Sequence, residues 1–151
     1  MRIRALSVLS SSLCALALGS TPAEAIDTNV SGGGCAGVLR VENNNSSNLS
    51  PYLSAYCSTG VGAAPAYLAY MKFYPLDGTV RYQIGNPKTM RRTADGKSYV
   101  TDGFRQFGVF WHSWSFFDAC ALITSNGRVL LDTCRFAVKN SALWGTWLNW
   151  A

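Results

Sequence analysis

Along residues 67–74, YLAYMKFY, side chains alternate in the two-residue rhythm of a strand. Tyr67, Ala69, Met71 and Phe73 share one face, and Leu68, Tyr70, Lys72 and Tyr74 share the other. The run stops at Pro75, and Leu76-Asp77-Gly78-Thr79 turns the chain into a second strand-like stretch from Val80 to Gly85, which predicts a hairpin. Gly37 to Glu42 alternates in the same way, with Val38 and Arg40 against Leu39 and Val41. Residues 43–51, NNNSSNLSP, are a run of turn formers and predict a surface loop, after which Tyr52 to Ser58 reads as the next strand. Residues 58–66 form a small-residue connection, 86–97 (NPKTMRRTADGK) a basic loop, and 98–103 another short strand.

Residues 107–120, FGVFWHSWSFFDAC, fit two periods. As a strand, Phe107, Val109, Trp111, Ser113, Ser115 and Phe117 share one face, with Phe110, His112, Trp114, Phe116 and Asp118 on the other. As a helix, Phe107, Phe110, Trp111, Trp114 and Phe117 make a stripe. Aromatic content, Gly108 and the hairpin that follows favour the strand, with most of these rings in the core. In that hairpin, Ala121 to Thr124 and Arg128 to Thr133 flank Ser125-Asn126-Gly127, and Asn-Gly is a strong turn signal. Short strands punctuated by Gly, Asn, Asp and Pro, with no internal repeat and no linker, predict an all-β fold: a single antiparallel sandwich or barrel.

The N-terminal 25 residues stand apart from this pattern. Arg2 and Arg4, an apolar stretch from Ala5 to Leu18, and Ala23-Glu24-Ala25 have the three parts of a secretory signal peptide, so residues 1–25 are set aside and 26–151 form the domain. No later stretch is long and apolar enough for a membrane helix. The expected location is secreted or periplasmic. Four cysteines remain, Cys35, Cys57, Cys120 and Cys134, an even set that reads as two disulfides in an exported chain. A strict two-residue Asn126-Gly127 loop would put Cys120 opposite Thr133. A three-residue loop with a bulge would put it opposite Cys134, so Cys120–Cys134 is favoured and Cys35–Cys57 follows by elimination. The spacing lacks C-x-x-C, and neither a metal nor a cofactor is expected.

The formal net charge of +5 is a mild tilt towards anionic partners. Lys88, Arg91, Arg92 and Lys97 concentrate it in the 86–97 loop, where it suits an acidic protein partner of a secreted inhibitor or toxin; export argues against an intracellular nucleic-acid partner. A hydrolase is the other alternative. His112, the single histidine, is the weak catalytic candidate, with Glu42 and Arg81, Arg91 or Arg92 as partners that no spacing selects. No G-x-S-x-G elbow is present. Trp144, Trp147 and Trp150 recur every three residues at the C-terminus, and indole rings suit stacking on sugars or sitting at a headgroup boundary. The tyrosines Tyr52, Tyr56, Tyr67, Tyr70, Tyr74, Tyr82 and Tyr99 fit a sheet surface or a ligand platform equally.

The disulfide hairpin Cys120 to Cys134 around its glycine turn resembles the hairpin in some receptor-binding subunits of pertussis-like toxins, over fifteen residues. That resemblance implies an OB-fold and extracellular sugar binding. The excess of Trp and Tyr over charged candidates for chemistry sets the expected function: a secreted binding module that recognises an extracellular glycan, envelope surface or protein partner through aromatic residues.

Overall fold

The structure, a computed structural model, describes residues 25–45, 48–74, 77–102, 109–110, 116–142 and 145–150. Apart from Ala25, the signal-peptide segment lies outside the described residues, as do His112 and Trp144. The chain fills two antiparallel sheets in blocks of three strands. β1 (Ala25–Gly32), β2 (Cys35–Asn45) and β3 (Asn48–Ser58) belong to sheet A; β4 (Ala66–Phe73), β5 (Arg81–Gln83) and β6 (Lys88–Thr89) belong to sheet B. β7 (Arg91–Arg92), β8 (Ser98–Val100) and β9 (Val109–Phe110) return to sheet A, and β10 (Phe116–Ser125), β11 (Arg128–Ala142) and β12 (Gly145–Trp150) complete sheet B. The described residues contain no α-helix, only a 3-10 turn at Thr59–Val61. The fold is thus an all-β sandwich rather than a barrel.

The core lies between the sheets. Leu39, Val41, Leu49, Leu53 and Cys57 come from sheet A; Tyr67, Met71, Phe73, Phe117 and Ile123 come from sheet B. The alternation read in residues 67–74 holds, since Tyr67, Ala69, Met71 and Phe73 are all buried in this cluster. Small side chains sit in the middle of sheet B, where Ala121 opposes Ala69 and Ala119 opposes Met71, and they leave room for the larger residues of sheet A. Burial of a side chain such as Phe117 contributes about 1.5–3 kcal/mol.

Both predicted disulfides are present, each joining neighbouring strands: Cys35–Cys57 across β2 and β3, and Cys120–Cys134 across β10 and β11. In the chain-entropy view a loop of this size contributes about 3 kcal/mol. The C-terminal hairpin reaches its register by a different route from the one expected. Its turn is the strict two-residue form, with Ser125 opposite Arg128 and positive φ at both Asn126 (50°) and Gly127 (72°). The extra residue enters within β11: Thr124 opposes Val129 but Ile123 opposes Leu131, so Leu130 bulges and Cys120 meets Cys134.

Three further expectations change. Residues 43–51 are mostly strand, because β2 runs to Asn45 and β3 resumes at Asn48. Pro51 lies inside β3, opposite Val41. The Cys35/Cys57 Cα atoms are 4.0 Å apart, the short spacing of a pair not hydrogen-bonded to each other, and Val41/Pro51 falls in the same phase. The nitrogen of Pro51 therefore faces away from β2, between the segments of β3 paired to β9 and to β8, where no described strand needs a donor. The basic segment 86–97 is not a free loop. β6 pairs with β4 in sheet B and β7 with β8 in sheet A, and Met90 between them is buried, its N–H donating to the Pro65 carbonyl and its sulfur 3.6 Å from that of Cys57. β1 is an element beyond those expected. It alternates half-buried Ile26 and Thr28 and buried Val30 with exposed Asp27, Asn29 and Ser31.

Gly33 in the β1–β2 turn shows how tightly the two hairpins meet. It has φ +53°, and a Cβ there would lie 2.5 Å from the Leu130 carbonyl oxygen, on the bulge itself. Gly127 has φ +72° with nothing within 4 Å of an added Cβ. Gly127→Ala should therefore cost only the left-handed backbone penalty of about 1–2 kcal/mol, and Gly33→Ala about 3 kcal/mol or more. Urea unfolding of the two variants checks this; equal losses would show that the bulge does not bear on the turn.

Candidate functional site

The strand period that buries Phe73 and Phe117 turns their neighbours outward. On the outer face of sheet B, β4 presents Tyr70 and Lys72, with Tyr74 directly after the strand; β10 presents Phe116 and Asp118, and β11 presents Asp132 and Phe136. β5 adds Tyr82 opposite Lys72. Tyr82, Phe116 and Phe136 keep 58%, 43% and 41% of their surface exposed, an unusual amount for three large apolar side chains on one face. Phe116 and Phe136 are parallel, with centroids 5.9 Å apart and planes within 4°, and Tyr74 tilts against Phe136 at 6.3 Å. Beside them the Cys120–Cys134 bond ties β10 to β11, with Tyr70 in the position next to Cys120.

Charged groups are interleaved with these rings. Asp118 has Lys72 opposite it on β4 and Phe136 opposite it on β11. The Tyr74 hydroxyl donates a 2.5 Å hydrogen bond to Asp118 Oδ2. That bond to a carboxylate, with burial second, pushes the Tyr74 phenol up to about 12. The Tyr70 phenol is also raised, chiefly by burial and then by the charges of Asp132, Tyr82 and Asp118. Lys72 Nζ stands 5.9 Å from the Tyr70 ring centroid, a cation–π arrangement. The face thus offers ring surfaces, two carboxylate acceptors and an ammonium donor on a rigid sheet.

The candidates from the sequence are scattered by comparison. Trp147 and Trp150 lie in β12, opposite Asn140 and Ala137 of β11; the segment is a strand rather than a helical turn. Lys88 is half-buried in β6, while Arg91 and Arg92 are exposed on β7, a strand at the rim of sheet A. Arg92 is held by the turn that follows, donating to the Gly96 carbonyl from both Nε and Nη2. Asp95 in that turn accepts from Thr93 Oγ1 and the Lys97 N–H, and these bonds hold its carboxyl below the usual range. Glu42, near Arg40 on β2, and Arg81, paired with Asp77 beside β5, belong to different sheets. β7 is three strand positions from β2, about 14 Å at the usual spacing. The proposed catalytic partners of His112 are therefore not brought together.

All four cysteines of the domain are in disulfides, and no group of three or more His, Cys, Asp and Glu side chains is clustered among the described residues. The disulfides indicate an oxidising environment. No described helix is long and apolar enough to cross a membrane. The likeness to toxin subunits stays with the hairpin, because two six-stranded sheets replace a five-stranded barrel. Neither the models of known protein families, nor the curated proteins, nor the solved structures contain a match to this chain.

Part of the aromatic face was legible beforehand. Alternation alone puts Tyr70 and Tyr74 on one face and Phe116 with Asp118 on one face. Phe136 and Asp132 needed the register that the Leu130 bulge imposes.

The hydrogen bond to Asp118 can be tested by pH. A phenol whose pKa is raised on folding favours the native state below pH 10, and that contribution is lost as pH rises through about 12, because the unfolded chain releases its proton first. Absorbance titration should show one tyrosine ionising near 12, and Asp118→Asn should return it towards 10 while flattening the loss of stability over that range. A Tyr74→Phe protein that keeps the late-ionising phenol would assign it to another residue.

Proposed function

We propose that this chain is a secreted or periplasmic binding module that holds an extracellular glycan, without turning it over, on the outer face of sheet B. The observation that carries this reading is the exposed group Tyr82, Phe116 and Phe136, with Asp118 and Asp132 set between and beside the rings. Sugars present apolar C–H faces bordered by hydroxyls. Aromatic rings meet the first, and carboxylates that accept hydrogen bonds meet the second. A broad sheet face suits several units of an extended polysaccharide better than a single small molecule. The two disulfides, together with the signal-like N-terminus, support export.

The rings can be removed without opening the core, because Tyr82 and Phe116 are among the exposed residues. The double variant Tyr82→Ala, Phe116→Ala should retain its strand-type circular dichroism and lose about tenfold or more in affinity for the glycan selected from an array. Retention unchanged by the double variant would overturn the site. Binding to no glycan, with capture instead of an envelope protein, would overturn the ligand class.

A further inference from the structure

At the end of the sandwich where the Asn126-Gly127 turn lies, three connections converge. The Gly33-Gly34 turn, with φ 53° and 83°, packs on the Leu130 bulge, and the 3-10 turn Thr59–Val61 lies alongside. Ser125 Oγ ties the group together by donating 2.7 Å to the Ala63 carbonyl, with Val61 O at 3.4 Å. Between these connections is a cleft of about 480 Å³, within the range of about 300–1,000 Å³ typical of small-molecule sites.

Glycines keep its wall open. A Cβ on Gly34 would stand 3.3 Å from both Ser58 Oγ and Val61 Cγ1, and one on Gly62, beside the cleft, 3.3 Å from Asn126 Nδ2. Arg128 is the only charged residue among the described lining, and no carboxylate shares the cleft. Its guanidinium makes no ion pair with a described residue, unlike that of Arg40 on Asp27 or Arg81 on Asp77. Ser58 and Asn126 supply neutral hydrogen-bonding groups, and Val129, 61% exposed, with Val61 supplies an apolar wall.

One unopposed guanidinium, neutral donors and a small apolar surface select an anion that also carries hydroxyls and C–H faces. We infer that this cleft is a second site, separate from the aromatic face, that binds an acidic sugar unit through its carboxylate. Arg128 takes the carboxylate, Asn126 and Ser58 take ring hydroxyls, and Val61 and Val129 pack against the ring.

The test is a titration of the ¹⁵N-labelled protein with D-glucuronate, D-glucose and acetate, followed at the backbone amides of Gly34, Asn126 and Val129. Glucuronate should shift them saturably, glucose should not, and acetate should bind more weakly than glucuronate. Arg128→Gln should weaken glucuronate about tenfold or more. Asn126→Gly, which tolerates the turn's positive φ, should also weaken it. The double variant of the aromatic face should leave this response intact, so the two sites stand or fall separately. Absence of a saturable shift, an equal response to glucose, acetate binding as tightly as glucuronate, or an unchanged Arg128→Gln protein would each overturn the inference.

Discussion

One residue of slack in β11 decides which side of the C-terminal hairpin is core. With a two-residue turn and no bulge, Phe117 would oppose Phe136 and Ala121 would oppose Asp132, which drives an aromatic ring and a carboxylate towards the interior. The bulge at Leu130 shifts the strand by one, so Ala137 and Leu131 oppose Phe117 and Ile123 instead. The inner layer then receives small and aliphatic side chains, and Phe136 and Asp132 turn outward. The same shift aligns Cys120 with Cys134, and the covalent bond then holds the register that made it.

The bulge also reaches across to the other sheet. Its displaced backbone is the surface on which Gly33 sits, close enough that a single methyl group would collide with the Leu130 carbonyl. The β1–β2 turn is thereby seated against the β10–β11 hairpin, and the cleft with Arg128 opens between them. The aromatic face and this cleft share one structural cause and differ in character. The first is built on paired strands and is rigid by construction. The second is walled by turns, whose positive φ angles limit the residues that can occupy them.

Charge is distributed to match. On the outer face of sheet A, Arg40 is neutralised by a bidentate pair with Asp27 at 2.7 and 2.8 Å, and at the rim of that sheet Arg92 is engaged by its own turn. The exposed pair with Asp27 contributes little to stability, yet it removes a cation from the surface as a ligand for anything else. Arg128 keeps its charge available, and Lys72 spends part of its own on the Tyr70 ring. A basic chain thus presents an aromatic face whose carboxylates outnumber its ammonium.

The amino-acid sequence by itself determined what repeats over two residues or closes within four. The inward set Tyr67, Ala69, Met71 and Phe73 and the turns at Asp77-Gly78 and Asn126-Gly127 follow from alternation and from residues that tolerate positive φ, whereas Cys120 meets Cys134 only through the Leu130 bulge. The tertiary structure decided whatever depends on a distant partner. Whether residues 86–97 are loop or strand turned on Met90 finding a place between the sheets beside Cys57. Whether Ile26, Thr28 and Val30 form a strand turned on β2 being there to pair with. Whether Phe136 faces water turned on where one bulge was placed. Local pattern limits the faces a segment can offer, but only packing against the opposite sheet selects which of them is buried.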